Sequence, residues 1–307
     1  MKIGAVGDIA LTHDYDVVYH ARGPGYPFDL VRDILLEHDI LIGNLEAPFC
    51  LGGEVYPERL SLRAHPGYVN GLKDAGFTSL IVGNNHILDY REKAFFETLD
   101  LLDSHGILRC GAGRDLAEAN RPVITEKDGI SVGILSRCDV TIKTPFYASE
   151  NFRGLAPLNL MQLEEDVRSL RSKVDVVIVV LHWGVEDWQY PAPDQVEKAH
   201  RIIDAGADLV IGHHPHVLQG IEKYRNGYIA YSMGNFLFSD LDWRWANEEG
   251  EIKRAILKMS RIRKQTGILS IDVTKEGIGS VRMIPCLIGN DLRVSPIKNT
   301  FLSDMGM

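Results

Sequence analysis

The chain has 307 residues, 45% apolar and 24% charged, which is enough to bury one large core or two ordinary ones without disulfide staples. With 42 acidic against 33 basic side chains and a formal charge of −9, it is repelled by phosphate backbones and anionic membrane surfaces, so no nucleic-acid partner is expected. The cysteines Cys50, Cys110, Cys138 and Cys286 form no CxxC pair, which excludes a zinc ribbon or thioredoxin motif and predicts reduced, buried thiols.

The opening MKIGAVGD reaches Asp8 before any signal-like apolar region develops. No apolar run reaches the roughly 18 residues of a spanning helix, so no membrane span is expected and the predicted location is cytoplasmic. Short β-branched runs then recur, each closed by a polar turn. They are KIGAV before Gly7, DILIG before Asn44, SLIVG before Asn84, ISVGILS before Arg137, VVIVVL before His182, DLVIG before His213 and YIAYSMG before Asn235. Runs this continuous predict strands buried on both faces. Amphipathic stretches over 28–37, 91–104, 160–173 and 194–205 predict helices between them. The alternation implies an α/β sheet with ligands at the carboxyl ends of its strands.

The least regular segment, 147–159, is expected to loop over the site. Trp183, Trp188, Trp243 and Trp245 fall in or near the motif-bearing loops, with packing beneath a loop as their expected role. From about Gly250 the pattern changes. The basic stretch KRAILKMSRIRK predicts a helix, and TGILSIDVT and GSVRMIPCLI predict antiparallel strands that complete the second sheet. With no linker, fixed-period repeat or charge block, 1–307 reads as a single domain.

The strand ends carry the chemistry: Asp8, then Asn44 and Glu46, then Asn84, Asn85, His86 and Asp89, then His182 and Glu186, then His213, His214 and His216, then Asn235. One Asp or Asn after a strand is ordinary turn chemistry. Three imidazoles within four residues are not, and His214 and His216 can point the same way in extended backbone. Mixed Asp, Glu, Asn and His donors suit one or two divalent transition-metal ions, Mn, Zn or Fe, better than a thiolate zinc or an all-oxygen calcium site. Such ions polarise a phosphoryl or carbonyl oxygen and generate hydroxide near neutral pH. His86 is the predicted catalytic acid, because Asn85 immediately before it can act as a ligand.

The ordered set GD, NLE, NNHxxD, GxG near Cys110, HWGxE, GHHPH and SMGNF resembles the CapA family, the poly-γ-glutamate capsule-synthesis proteins within the calcineurin-like metallophosphoesterases. The resemblance runs from Met1 to about Phe238 and less distinctly to Pro285. It implies a four-layer α/β/β/α sandwich with a two-metal centre at the strand ends. It also implies metal ligation by Asp8, Glu46, Asn85, His182, His214 and His216, a catalytic His86, and roles in orienting those ligands or contacting substrate for Asn44, Glu186 and Asn235. The sequence departs from the superfamily pattern at two points: Asp8 is followed by Ile9 and Ala10 rather than by a histidine two residues on, and the second aspartate is replaced by Asn44 or Glu46. His13, one turn later, is the alternative imidazole, with a surface position as its expected role.

Three functions follow: hydrolysis of a phosphoester, metal-assisted amide chemistry on poly-γ-glutamate or a related peptide, and non-catalytic binding of an anionic polymer or a synthetase. Each takes an anionic partner. Arg63, Arg137, Arg153 and Arg244 lie near the motif loops and are candidates to hold its carboxylates or phosphates bidentately.

Overall fold

A computed structural model describes residues 1–56, 59–140, 146–246 and 251–297. The first half of the chain carries strands β1 (Lys2–Ile9), β2 (Ile40–Leu45), β3 (Ser79–Ile81), β4 (Leu108–Cys110), β5 (Ala112–Gly113), β6 (Val123–Lys127), β7 (Ile130–Cys138) and β8 (Gly154–Leu155). The second half adds β9 (Val176–His182), β10 (Leu209–His213), β11 (Ile221–Tyr224), β12 (Gly227–Ala230), β13 (Asn235–Leu237), β14 (Leu241–Ala246), β15 (Ile252–Leu257), β16 (Gln265–Thr274), β17 (Gly277–Ile288) and β18 (Val294–Pro296). The helices are α1 (Asp14–Arg22), α2 (Arg32–Leu35), α3 (Tyr68–Asp74), α4 (Arg91–Ser104), α5 (Leu116–Asn120), α6 (Leu160–Arg171) and α7 (Pro193–Asp204).

Two sheets result. One runs in the order β18-β17-β16-β1-β2-β3-β4, with β13 also pairing β1; the other runs β11-β12-β10-β9-β7-β6. Alternation along each buried strand divides its side chains between two cores. In β9, Val176, Ile178 and Val180 meet Ile3, Ala5, Ile40 and Ile42 of the facing sheet. Val177, Val179 and Leu181 turn outward onto Leu163, Val167 and Leu170 of α6 and Ala199, Ile202 and Ile203 of α7. The outer face of the first sheet packs Leu41, Leu80 and Val82 against Leu72 of α3 and Phe95, Leu99 and Leu102 of α4. The four layers are therefore α/β/β/α, as expected. Each fully buried Val, Ile or Leu contributes about 1.5–3 kcal/mol to the sandwich.

The seven β-branched runs all become strands, and helices form over Arg91–Ser104, Leu160–Arg171 and Pro193–Asp204. Three expectations are corrected. The stretch 28–37 is a 3-10 turn at Tyr26–Phe28 followed by the short α2, because Pro27 fixes the first turn and the chain breaks before Arg32. The basic stretch after Gly250 is not a helix: β15 pairs antiparallel with β14 in a two-stranded ribbon that joins neither sheet. The C-terminal strands pair as a hairpin, but β16 hydrogen-bonds β1, so they extend the first sheet and not the second. All four cysteines are free and buried. Among the described residues, no helix is long and apolar enough to cross a membrane.

Candidate metal centre

The carboxyl ends of parallel strands converge where the two sheets meet. In β1 an extra residue interrupts the pairing with β2, so that Ala5 lies opposite Ile42 and Asp8 opposite Asn44. This bulge turns Asp8 onto the face that Ile40, Ile42 and Asn44 already share. Just before it, a Cβ at Gly7 would lie 2.1 Å from the carbonyl oxygen of Gly234, so only glycine allows β13 to close on β1. In the other sheet His182 and His213 are paired neighbours, both on the inward parity of their strands.

Glu46 is fully buried at the centre, and neither of its carboxylate oxygens has a hydrogen-bond partner. Its Oε1 lies 3.7 Å from His182 Nε2 and 3.6 Å from His216 Nε2. Among the described residues, three donor groups have their atoms mutually within 4.8 Å: Glu46, His182 and His214; Asp8, Glu46 and His216; and Glu186, His214 and His216. Glu46 belongs to two of them, the position of a bridging ligand. Buried Nδ1 of His214 and Nε2 of His213 are likewise unpartnered. Buried oxygen and imidazole atoms without partners are costly unless something fills the space between them, and a divalent cation fits this donor set.

Several contacts fix the ligand candidates. Asp8 accepts from Asn44 Nδ2 at 2.8 Å and from His213 Nδ1 at 3.1 Å. Asn84 donates to Asn44 Oδ1 at 3.1 Å and to the Leu45 carbonyl at 2.8 Å, while its own Oδ1 receives the backbone N–H groups of His86 and Ile87. Asn85 Oδ1 lies 2.8 Å from His182 Nε2. His216 donates through Nδ1 to Asn235 Oδ1 at 2.9 Å, and Asn235 donates in turn to the Arg263 carbonyl at 3.1 Å.

Burial alone would raise the Asp8 carboxyl, but hydrogen bonds from His213 and His216 hold it well below the usual range. Burial, and then the charge of Asp8, push Glu46 well above it. Burial disfavours the proton on His216, yet the carboxylates of Glu46 and Asp8 outweigh burial and raise its pKa to about 10. His214, buried and beside His216, is lowered to about 4. Burial and then His214 lower His182 well below the ordinary imidazole value.

A cleft of about 440 Å³ opens above the centre, with His86, His216, Glu186, Asp187 and Arg263 among its lining residues. His86 donates through Nδ1 to Asp89 Oδ2 at 2.7 Å. Asp89 is fully buried, also accepts from Leu62 N at 2.8 Å and pairs with Arg59 at 3.0 Å. That fixes the ring and leaves its Nε2 for the cleft.

Of the expected substrate contacts among the described residues, only Glu186 lines the cleft, and its carboxylate lies within 4.8 Å of ring nitrogens of His214 and His216. Asn44 and Asn235 are fully buried and position Asp8 and His216 instead. Arg63 is held by Asp16 at 2.6 Å beside a separate cavity that also contains His13. Arg137 shares the outward parity of Leu135 and pairs with Asp166 of α6 at 2.5 Å. Arg153 pairs with Glu92, and the side chain of Arg244 is outside those described. Segment 147–159 bears β8, which pairs with β5, and supplies none of the lining residues. Trp183 is buried, donating to the Tyr231 carbonyl at 3.1 Å. The sequence reading missed Arg263, which clamps Asp187 at 2.6 Å and Glu186 at 3.0 Å; its only signal was the basic stretch taken for a helix.

A family model described as the bacterial capsule synthesis protein PGA_cap matches residues 2–240. The capsule biosynthesis protein CapA of Bacillus anthracis is 32% identical over 245 residues, covering 78% of this chain and 59% of that protein. The PGA biosynthesis protein CapA of Bacillus subtilis is 33% identical over 241 residues, covering 78% and 63%. The chain thus matches less than two thirds of the length of either relative. Among solved structures, a phosphatase from Mycoplasma pneumoniae superposes with a TM-score of 0.56 at 13% identity, covering 99% of this chain and 96% of that one. The NAD nucleotidase of Haemophilus influenzae gives 0.53 at 14% identity, covering 97% and 54%. Identities this low speak for the fold alone.

Proposed function

The chain belongs to the PGA_cap family of bacterial capsule synthesis proteins, and on that premise we propose that it is a divalent-metal-dependent hydrolase of a phosphoester acting in poly-γ-glutamate capsule synthesis. The observation that carries the proposal is the buried Glu46 carboxylate, unpartnered at the overlap of two donor groups on a fold of the calcineurin-like metallophosphoesterase type.

Asp8, Glu46, Asn85, His182, His214 and His216 would hold Mn, Zn or Fe, with Glu186 as a further oxygen donor. Divalent ions bound there supply Lewis acidity toward a phosphoryl oxygen and lower the pKa of water. His213 and Asn44 keep Asp8 in place, and Asn235 orients the His216 ring. His86, its Nδ1 proton committed to Asp89, presents Nε2 to the cleft. As water adds at phosphorus and the ester P–O bond breaks, the departing oxygen takes a proton from that nitrogen. Four free, buried thiols support a reducing, cytoplasmic setting.

The test is turnover of p-nitrophenyl phosphate and bis(p-nitrophenyl) phosphate by protein loaded with each metal in turn. Metal-stimulated nitrophenol release supports the reading. Its absence with Mn, Zn, Fe and Mg alike overturns it, and release of glutamate oligomers from the polymer would establish amide chemistry in its place.

A further inference from the structure

The cleft above the centre differs in character from its floor. Its walls carry Leu60, Phe238, Leu241, Ile256, Leu257 and Met259, while the wall cations among the described residues are Lys258 and Arg263. Arg263 is already matched by Asp187 and Glu186. Among the described residues the walls are therefore apolar and close to neutral, and anion-binding capacity is concentrated at the floor, where the donor groups would hold cations.

One wall is the β14–β15 ribbon, which joins neither sheet. Ile256 and Leu257, 46% and 42% exposed, are both among the residues that line the cavity leading to His86 and His216. Apolar side chains left in water beside a polar floor mark a place for an apolar group of the ligand. A polymer with a carboxylate on every residue would instead require a row of unpaired cations along this groove.

We infer that the substrate is a phosphomonoester of an apolar alcohol, its phosphate on the metal-binding floor and its hydrocarbon between the β14–β15 ribbon and Leu60. The inference rests on the proposed phosphoesterase reading and narrows it. The bond broken is the ester P–O bond; water supplies the new oxygen on phosphorus, the freed alcohol leaves with the proton from His86, and the proton that the water gives up to solvent restores His86.

The experiment measures inorganic phosphate release by the metal-loaded chain from methyl, butyl and octyl phosphate, with glycerol phosphate as a hydrophilic control and p-nitrophenyl phosphate as an activated one. Binding of the matching non-hydrolysable alkylphosphonates is followed by calorimetry. The expected result is a kcat/KM that rises up to about fourfold per methylene, with phosphonate affinity rising in parallel. Ile256→Asp, and separately Leu257→Ser, should flatten both slopes; these side chains are exposed, so the fold tolerates the changes. Equal rates across the series, or a preference for glycerol phosphate, overturn this inference and leave the phosphoesterase reading standing. No release from p-nitrophenyl phosphate with turnover of bis(p-nitrophenyl) phosphate overturns this inference alone; no release from either overturns both.

Discussion

Glu46 and His216 face each other across 3.6 Å, carboxylate oxygen to Nε2, without a hydrogen bond between them. Glu46 is raised by burial and by Asp8, and His216 is raised by the two carboxylates, so at neutral pH the pair retains a proton that a bound cation must displace. Calorimetry in buffers of different ionisation enthalpy should therefore detect release of at least one proton per ion. Apparent affinity should strengthen with pH below about 10, by about tenfold per unit for one proton. A pH-independent affinity between 6 and 8, on the order of that linkage window, would contradict it.

Asn235 acts on the centre through His216. Asn235→Leu keeps the volume but removes the acceptor of the Nδ1 proton and the donor to Arg263. Metal affinity should fall by about 10–100-fold, read by competition with a chelating dye, while the far-ultraviolet spectrum is unchanged.

His86 is argued to move a proton and to leave the ions alone. His86→Asn should lower kcat by about 10²–10⁴-fold with metal content unchanged. Asp89→Asn, which weakens the hold on His86 Nδ1, should fall between that variant and the parent in kcat. Loss of metal in His86→Asn would make His86 a ligand instead.

Arg137 separates a structural arginine from a substrate-binding one. It is 2% exposed and tied to Asp166, whose carboxylate retains contact with water. Arg137→Met should destabilise the fold by about 2 kcal/mol in urea titration, because the lost bond is charged but the orphaned partner is wet. kcat/KM should not change. A raised KM at full stability would restore a role in substrate binding.

The strands and the donor order were readable because burial on both faces forces β-branched runs, and the chemistry follows at their ends. The bulge that aims Asp8 was not readable, since it depends on how β1 pairs with β2. Arg137 shows the same limit. It follows a motif strand as His182 does, but the parity of β7 directs it at α6, whereas the parity of β9 directs His182 at the facing sheet. The β15 strand, IKRAIL, misread as a helix, shows neither strict alternation nor a helical stripe over its six residues, so period alone does not discriminate there, and the pairing with β14 decides its conformation. Arg263 was hidden by the same misreading.

The most direct test of the account is elemental analysis of protein purified without chelator, alongside Asp8→Ala, Glu46→Gln and His214→Ala. The account predicts one or two equivalents of Mn, Zn or Fe in the parent protein and reduced metal in all three variants, each still folded by circular dichroism. A parent protein that carries no metal and takes up none when these ions are added back would contradict it.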